Sequence, residues 1–347
     1  MYTELADYTI ACLKALKASE RDTKILVIHY PVNAEAPFVF DFEGIGVFRS
    51  INEFESYEKL KSFVRAFRPE TIVCSGWVNK WYVRVCSGFK NKALCIITMD
   101  NHWNGSFRQH VMRLIFRLYL KRVYQKIWVP GNPQVYYAKK LGFSETDIST
   151  GFYCCDVNFF DGRYKRSQDK KRRDFPHRFL CVARYIPSKG YQQLWDAFIE
   201  WKSRYNNDWE LWCAGSGEGF SERVHHTGIR HLGFVQKEEW EKIIENTGIF
   251  ILASTFEPWG VAVHEFAASG YPLLLSKQVG AASAFLSPSN GFLFDPFNKE
   301  ALISKLRLIS ELQAEDLNRM AQVSNDLAFT VTPEKWASAL LNMGVAP

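Results

Sequence analysis

The sequence predicts an α/β protein built from two doubly wound domains, on three observations. Short, continuous apolar runs alternate with helical patterns, the signature of parallel strands covered on both faces. The alternation breaks at a polar, basic stretch over residues 163–173 and then restarts. At 347 residues the chain is also too long for one average core, so two domains of roughly 150 to 175 residues are expected. The predicted division is a first wound domain over 1–160, a basic linker over 161–176, a second wound domain over 177–330 and a C-terminal helix over 331–347.

In chain order, residues 8–18 have a helical pattern and 24–29 (Lys-Ile-Leu-Val-Ile-His) a short buried strand. A helix over 56–67 leads into a strand at 71–75, a second strand follows at 93–98, a helix at 107–126, a strand at 127–129 and a helix at 133–141. After the basic stretch, strands are expected at 179–183, 209–214, 249–253 and 272–276, with helices at 191–205, 237–246, 261–269 and 299–312. Thr332-Pro333-Glu334 supplies an N-cap with proline at the first helical position and opens the terminal helix. Two such domains are expected to face a central cleft lined by the carboxyl ends of their strands, where ligands bind in this architecture.

Composition excludes several classes. With 47% hydrophobic and 23% charged residues the chain is neither disordered nor collagenous. Its longest charge-free run, 278–294, contains Ser, Asn and Pro and does not suit a membrane span. Glu4 and Asp7 stand where an export signal would be basic, so none is expected. The eight cysteines lie mostly within apolar runs such as 93–97 and 179–182, with no Cys-x-x-Cys and no Cys/His metal spacing. They predict buried free thiols in a reduced, cytoplasmic protein without structural zinc.

Charge is uneven. Residues 1–160 hold 21 Lys/Arg against 15 Asp/Glu and 161–174 hold 7 against 3, whereas 175–347 hold 15 against 19. Attraction to an anionic partner would therefore act through the first half. Within 107–126, Arg108, Arg113, Arg117, Lys121, Arg122 and Lys126 interleave with Val111, Leu114, Ile115, Leu118, Tyr119 and Val123, and no acid occurs. This predicts a basic amphipathic helix. It is either an ordinary domain helix with a solvated cationic face or one that meets anionic headgroups, which would make the protein peripheral on the inner face of the cytoplasmic membrane. No nucleic-acid-binding motif accompanies the charge, so no nucleic-acid partner is expected.

The chemistry concentrates in three stretches of the second domain. In 181–190, Arg184 follows a strand and Lys189 precedes a helix, an arrangement of cations suited to a diphosphate. In 209–217 a strand runs into Gly215-Ser216-Gly217, where the backbone either approaches a ligand or simply turns. In 257–272, Glu257 precedes a helix, Glu265 lies about one turn inside it, and Gly260 and Val261 present free N–H groups at its start, after Trp259. An acid before a helix is often only a cap, but two acids with a glycine start and a Gly-Tyr-Pro exit are harder to explain that way.

Arg184, Lys189, the glycines at 215–217 and the Glu-x7-Glu spacing of Glu257 and Glu265 together resemble the donor half of retaining glycosyltransferases of the GT-B fold, glycosyltransferase family 4. The resemblance is specific over 178–312 and one of pattern alone over 1–160. It implies that Arg184 and Lys189 hold a donor diphosphate and that Glu265 bonds the nucleotide ribose. Glu257, with the amides that follow it, would hold the sugar hydroxyls as a catalytic residue. Trp259 stands where the family often has Phe.

The first domain would then bind the acceptor. His102 follows a strand end where the family frequently places a catalytic His, and Asp100 is positioned to orient it; a satisfied structural His is the alternative. Trp77, Trp81 and Tyr82 are either stacking platforms for a sugar or packing residues, and His29 is a weaker candidate. The family's usual first strand and Gly-rich loop are missing from the amino-terminal pattern. No Asp-x-Asp occurs, so no metal or other cofactor is expected and the cations would neutralise the leaving diphosphate.

The expected function is transfer of a hexose from a UDP-sugar, or a GDP-sugar, to a glycan or lipid-linked acceptor in cell-surface polysaccharide or glycoconjugate synthesis. A nucleotide-sugar epimerase or hydrolase on the same fold, or a non-catalytic sugar-nucleotide-binding protein, is the alternative.

Overall fold

The structure is a computed structural model that describes residues 1–33, 37 and 39–344. It divides into two compact units, one formed by Met1–Cys155 with Val331–Pro347, the other by Asp156–Thr330.

The first unit contains strands β1 (Leu26–His29), β2 (Val47–Ser50), β3 (Thr71–Ser75), β4 (Leu94–Thr98), β5 (Lys126–Trp128) and β6 (Ile148–Ser149). All neighbours run parallel, in the orders β1-β2 and β3-β4-β5-β6. Residues 1–3 lie between these groups. Tyr2 bridges His29 in parallel, the Tyr2 N–H donates to Ile28 O at 2.8 Å, and on the other side the Ser75 N–H donates to Met1 O at 3.0 Å. The place expected to lack a strand is therefore filled by a stub too short to show an apolar run. Helix Asp7–Ser19 follows it and buries Ile10, Cys12, Leu13 and Leu16.

The terminal helix, Pro333–Gly344, belongs to this unit. Thr332 caps it by accepting from the Lys335 N–H. Its Trp336 donates to Phe152 O at 2.8 Å and packs 4.8 Å from the Trp128 ring. Positions 345–347 of the expected helix lie outside the described residues.

The second unit contains β7 (Arg178–Val182), β8 (Glu210–Ala214), β9 (Ile229–Gly233), β10 (Ile249–Leu252), β11 (Leu273–Ser276) and β12 (Gly291–Phe294). They form one parallel sheet in the order β12-β11-β10-β7-β8-β9. Chain order reverses between β7 and β10, so the loops leaving those adjacent strands turn in opposite directions and open a crevice. All residues of β10 and β11 are buried, as continuous apolar strands require.

The basic stretch at 163–173 is not a linker. It is the greater part of helix Val157–Arg173. Charge hides a helical period: Val157, Phe160, Asp161, Tyr164, Ser167 and Lys171 face inward, while Arg166 and Lys170 pair outward with Glu241 and Glu245 at 2.7 and 3.0 Å. Asp161 is satisfied by Lys165 and by the Asn325 amide. Lys171 has no hydrogen-bond partner and lies 4.1 Å from the centre of the Tyr271 ring. The eight cysteines are free and buried.

Burial pushes the Lys171 pKa down to about 7, against about 10.4 in an unfolded chain. Between about pH 7 and 10 the unfolded chain holds a proton that the folded one releases, so this group makes stability rise with pH across that window and costs most below it. Lys171→Met should therefore raise the Tm at pH 7 and flatten the rise in Tm from pH 7 to 9. Unchanged slopes in thermal unfolding would contradict the assignment.

Candidate active site

The crevice between β7 and β10 collects most of the residues singled out in the second half of the sequence. After β7 the chain passes Arg184, which is exposed, and makes a short 3-10 turn at Pro187–Lys189. That turn is tied to the loop after β10: the Ser188 carbonyl accepts from the N–H groups of Thr255 and Phe256 at 2.9 and 3.2 Å. Gly190 closes the turn at φ +69, and a Cβ there would overlap the Ala253 carbonyl. Only glycine both adopts this conformation and lets the two loops approach so closely.

This approach joins Lys189 to Glu257 in an ion pair. Both side chains are largely buried, at 16% and 11% exposure, and each meets its opposite charge in the other. The loop after β11 holds Glu257 from its other side. The Glu257 N–H donates to Gln278 O at 3.2 Å, and its carbonyl accepts from the Gly280 N–H at 3.0 Å. That loop was not singled out from sequence; its only signal is the run of small residues at 280–284.

Gly260, at φ +96, turns the chain from Glu257 into helix Val261–Ala268. Val263 is the residue whose N–H reaches back to Gly260 O, at 3.0 Å, leaving the amides of Val261 and Ala262 at the open helix end, where partial positive charge collects. Glu265 is half-buried in the same helix. The Trp259 side chain is 3% exposed and packs edge-on against Phe285, so it is a packing residue. Gly215 likewise contributes no free donor: its N–H is taken by Gly233 O at 2.7 Å. What glycine provides there is room, since a Cβ would overlap Ala183 O.

Asp100 and His102 belong to the first unit, in the loop after β4. The Asp100 carboxylate accepts from the Tyr153 hydroxyl at 3.2 Å and its carbonyl from Gln134 Nε2 at 2.8 Å. The His102 carbonyl accepts from Gln109 Nε2 at 2.8 Å. His102 is half-buried, and burial lowers its pKa below the ordinary histidine range. At neutral pH its ring is therefore uncharged and able to accept a proton.

Among the aromatic candidates, Tyr82 is core: it is fully buried and donates toward Tyr2 O and Ile28 O. Trp77 and Trp81 are half-buried, and Trp77 packs edge-on against Phe116. His29 is buried, with Nδ1 2.7 Å from Tyr30 O.

Residues 163–325 match the family model described as glycosyl transferases group 1. The second unit carries a group 1 glycosyltransferase domain. The chain is 28% identical over 130 residues to an uncharacterized glycosyltransferase of Methanocaldococcus jannaschii, covering 35% of this chain and 33% of that protein. It is 28% identical over 164 residues to a mannosylfructose-phosphate synthase of Agrobacterium fabrum, covering 41% and 36%. These matches thus span about a third of each relative's length.

Two solved structures match nearly the whole chain. A glycosyltransferase from Rickettsia africae has a TM-score of 0.77 at 13% identity, over 99% of this chain and 96% of its own. The Anabaena protein HepE, in complex with UDP and glucose, has a TM-score of 0.73 at 14% identity, over 98% and 97%. At such identities the likeness concerns the fold. The chain has the GT-B fold.

Gly190→Ala should destabilise the second unit by at least the roughly 1–3 kcal/mol of a forced left-handed residue, because the added methyl also displaces Ala253. A thermal unfolding midpoint equal to that of the parent would contradict the close approach.

Proposed function

We propose that the protein transfers a hexose from a nucleotide-diphosphate sugar, with UDP favoured over GDP, to a glycan or lipid-linked saccharide, with retention of configuration. Cell-surface polysaccharide or glycoconjugate synthesis is the setting the sequence resemblance suggests. The observation that carries the reading is the meeting of Lys189 and Glu257 beside an open helix start, at the reversal of strand order in a group 1 glycosyltransferase domain. The UDP and glucose complex of HepE supports the choice of a sugar-nucleotide donor.

In this reading the ion pair is a placeholder. A diphosphate approaching Arg184, Lys189 and the amides of Val261 and Ala262 gives the Lys189 ammonium a new anionic partner. Glu257 is then available to accept hydrogen bonds from the sugar hydroxyls, with the amides after it alongside. Glu265 accepts from the ribose. As the bond between sugar and diphosphate breaks, negative charge grows on the leaving oxygen, where fixed cations and the helix end stabilise it without reorganising. The leaving oxygen takes the acceptor proton on the face where the new bond forms, which gives retention. His102, held neutral by burial, with Asp100 in the same loop, is proposed as the catalytic group of the acceptor domain. No divalent ion has a role in this scheme.

Lys189→Ala should weaken UDP binding by roughly ten- to a hundred-fold, the loss of one charge-assisted contact of about 1.5–3 kcal/mol. Glu257→Gln should retain UDP binding while losing most transfer. Calorimetry with UDP and a product assay with UDP-sugars test both, and unchanged UDP affinity in Lys189→Ala would refute the diphosphate role. Transfer should also survive EDTA, whereas a strict divalent requirement would contradict the proposed charge neutralisation.

A further inference from the structure

The basic segment after His102 folds as helix Phe107–Ile115, continued by a wider π-helical turn over Phe116–Leu120 in which the Lys121 N–H donates to Phe116 O at 2.8 Å. The expected helix thus stops short of 126, where β5 begins. Its orientation is the reverse of an ordinary domain helix. Phe116 alone is fully buried, between Trp77 and Phe143. Phe107 is 85% exposed, and Val111, Leu114, Ile115, Leu118 and Tyr119 are between 40% and 59% exposed. Positions 107, 111, 114, 115 and 118 recur at the helical repeat, so they form one outward stripe. Single exposed apolar residues need no explanation, but a continuous stripe does.

The charges around the stripe have no acidic partner among the described residues, although the Lys121 ammonium lies 4.4 Å from the centre of the Phe143 ring. None of the 17 ion pairs among the described residues involves Arg108, Arg113, Arg117, Lys121 or Arg122. The neighbouring helix Asn132–Leu141 adds Tyr136, which is exposed, and Lys140, whose ammonium lies over the Tyr136 and Trp103 rings.

We infer that helix 107–120 seats the protein on an anionic lipid bilayer, with its apolar stripe entering the headgroup region and its cations meeting lipid phosphates. Only a surface with an anionic layer over an apolar one satisfies both halves of this face. A nucleic acid would engage the cations and leave the stripe in water. A second copy joined through the same face would set these cations against their equivalents. Because the helix begins five residues after His102, the seated face adjoins the loop proposed to meet the acceptor. The inference itself stands on the first unit and does not require the donor chemistry.

Flotation of the full chain with phosphatidylcholine vesicles containing about a third phosphatidylglycerol, and with pure phosphatidylcholine vesicles, tests it. The parent should float with the anionic vesicles and remain behind with the neutral ones. Arg113→Gln with Arg117→Gln, and separately Leu114→Ser with Leu118→Ser, should each weaken binding by roughly ten-fold or more. All four positions are outside the buried core, so circular dichroism and Tm should match the parent. Failure of the folded parent to bind anionic vesicles overturns the inference. So does full binding by the Leu114→Ser, Leu118→Ser protein, which would reduce the contact to charge alone. A parental dimer in light scattering that those serine substitutions dissociate would assign the face to a second copy instead.

Discussion

The ion pair between Lys189 and Glu257 is the interaction around which the candidate site is organised. Two opposite charges largely removed from water must stay together or find substitutes. Here they are brought together by backbone: the Ser188 carbonyl ties the turn after β7 to the loop after β10, and Gly190 permits the approach. The sheet order makes this possible, because β7 and β10 are neighbours although 66 residues lie between Val182, the end of β7, and Ile249, the start of β10. In the proposed function this pair would meet an anion on one side and hydroxyl donors on the other.

The apolar strands were legible in the sequence, and four outer strands were not. Strands β3, β4, β7, β8, β10 and β11 are continuous apolar runs and fall within a residue or so of their expected positions. Strands β2, β6, β9 and β12 are the outermost members of their sheets. They are only partly buried, and charged or polar residues such as Arg49, Ser149, Arg230 and His231 interrupt the apolar signal. An edge strand needs no second apolar face. Helix Val157–Arg173 escaped for a related reason: seven cations over 163–173 hid the spacing of its inward residues.

The candidate site was legible as separate stretches rather than as a constellation. Arg184, Lys189, Glu257 and Glu265 were marked by residue type beside strand ends and a helix start. That Lys189 pairs with Glu257 depends on strand order, which no local pattern carries. The loop at 278–280 that clasps Glu257 is recognisable only in the fold. Conversely, Tyr82 and the Trp259 side chain prove to be packing, because an aromatic residue looks alike in sequence whether it faces a ligand or a core. Helix 107–120 showed its amphipathic period plainly, but periodicity cannot say which face turns outward.

The central claim is that cationic side chains and an open helix end cradle the diphosphate of an activated sugar. A crystal structure of the protein with UDP tests it most directly. The account predicts both phosphates within hydrogen-bonding reach of Arg184, Lys189 and the Val261 amide, with the ribose at Glu265. Phosphates bound away from these groups would contradict it.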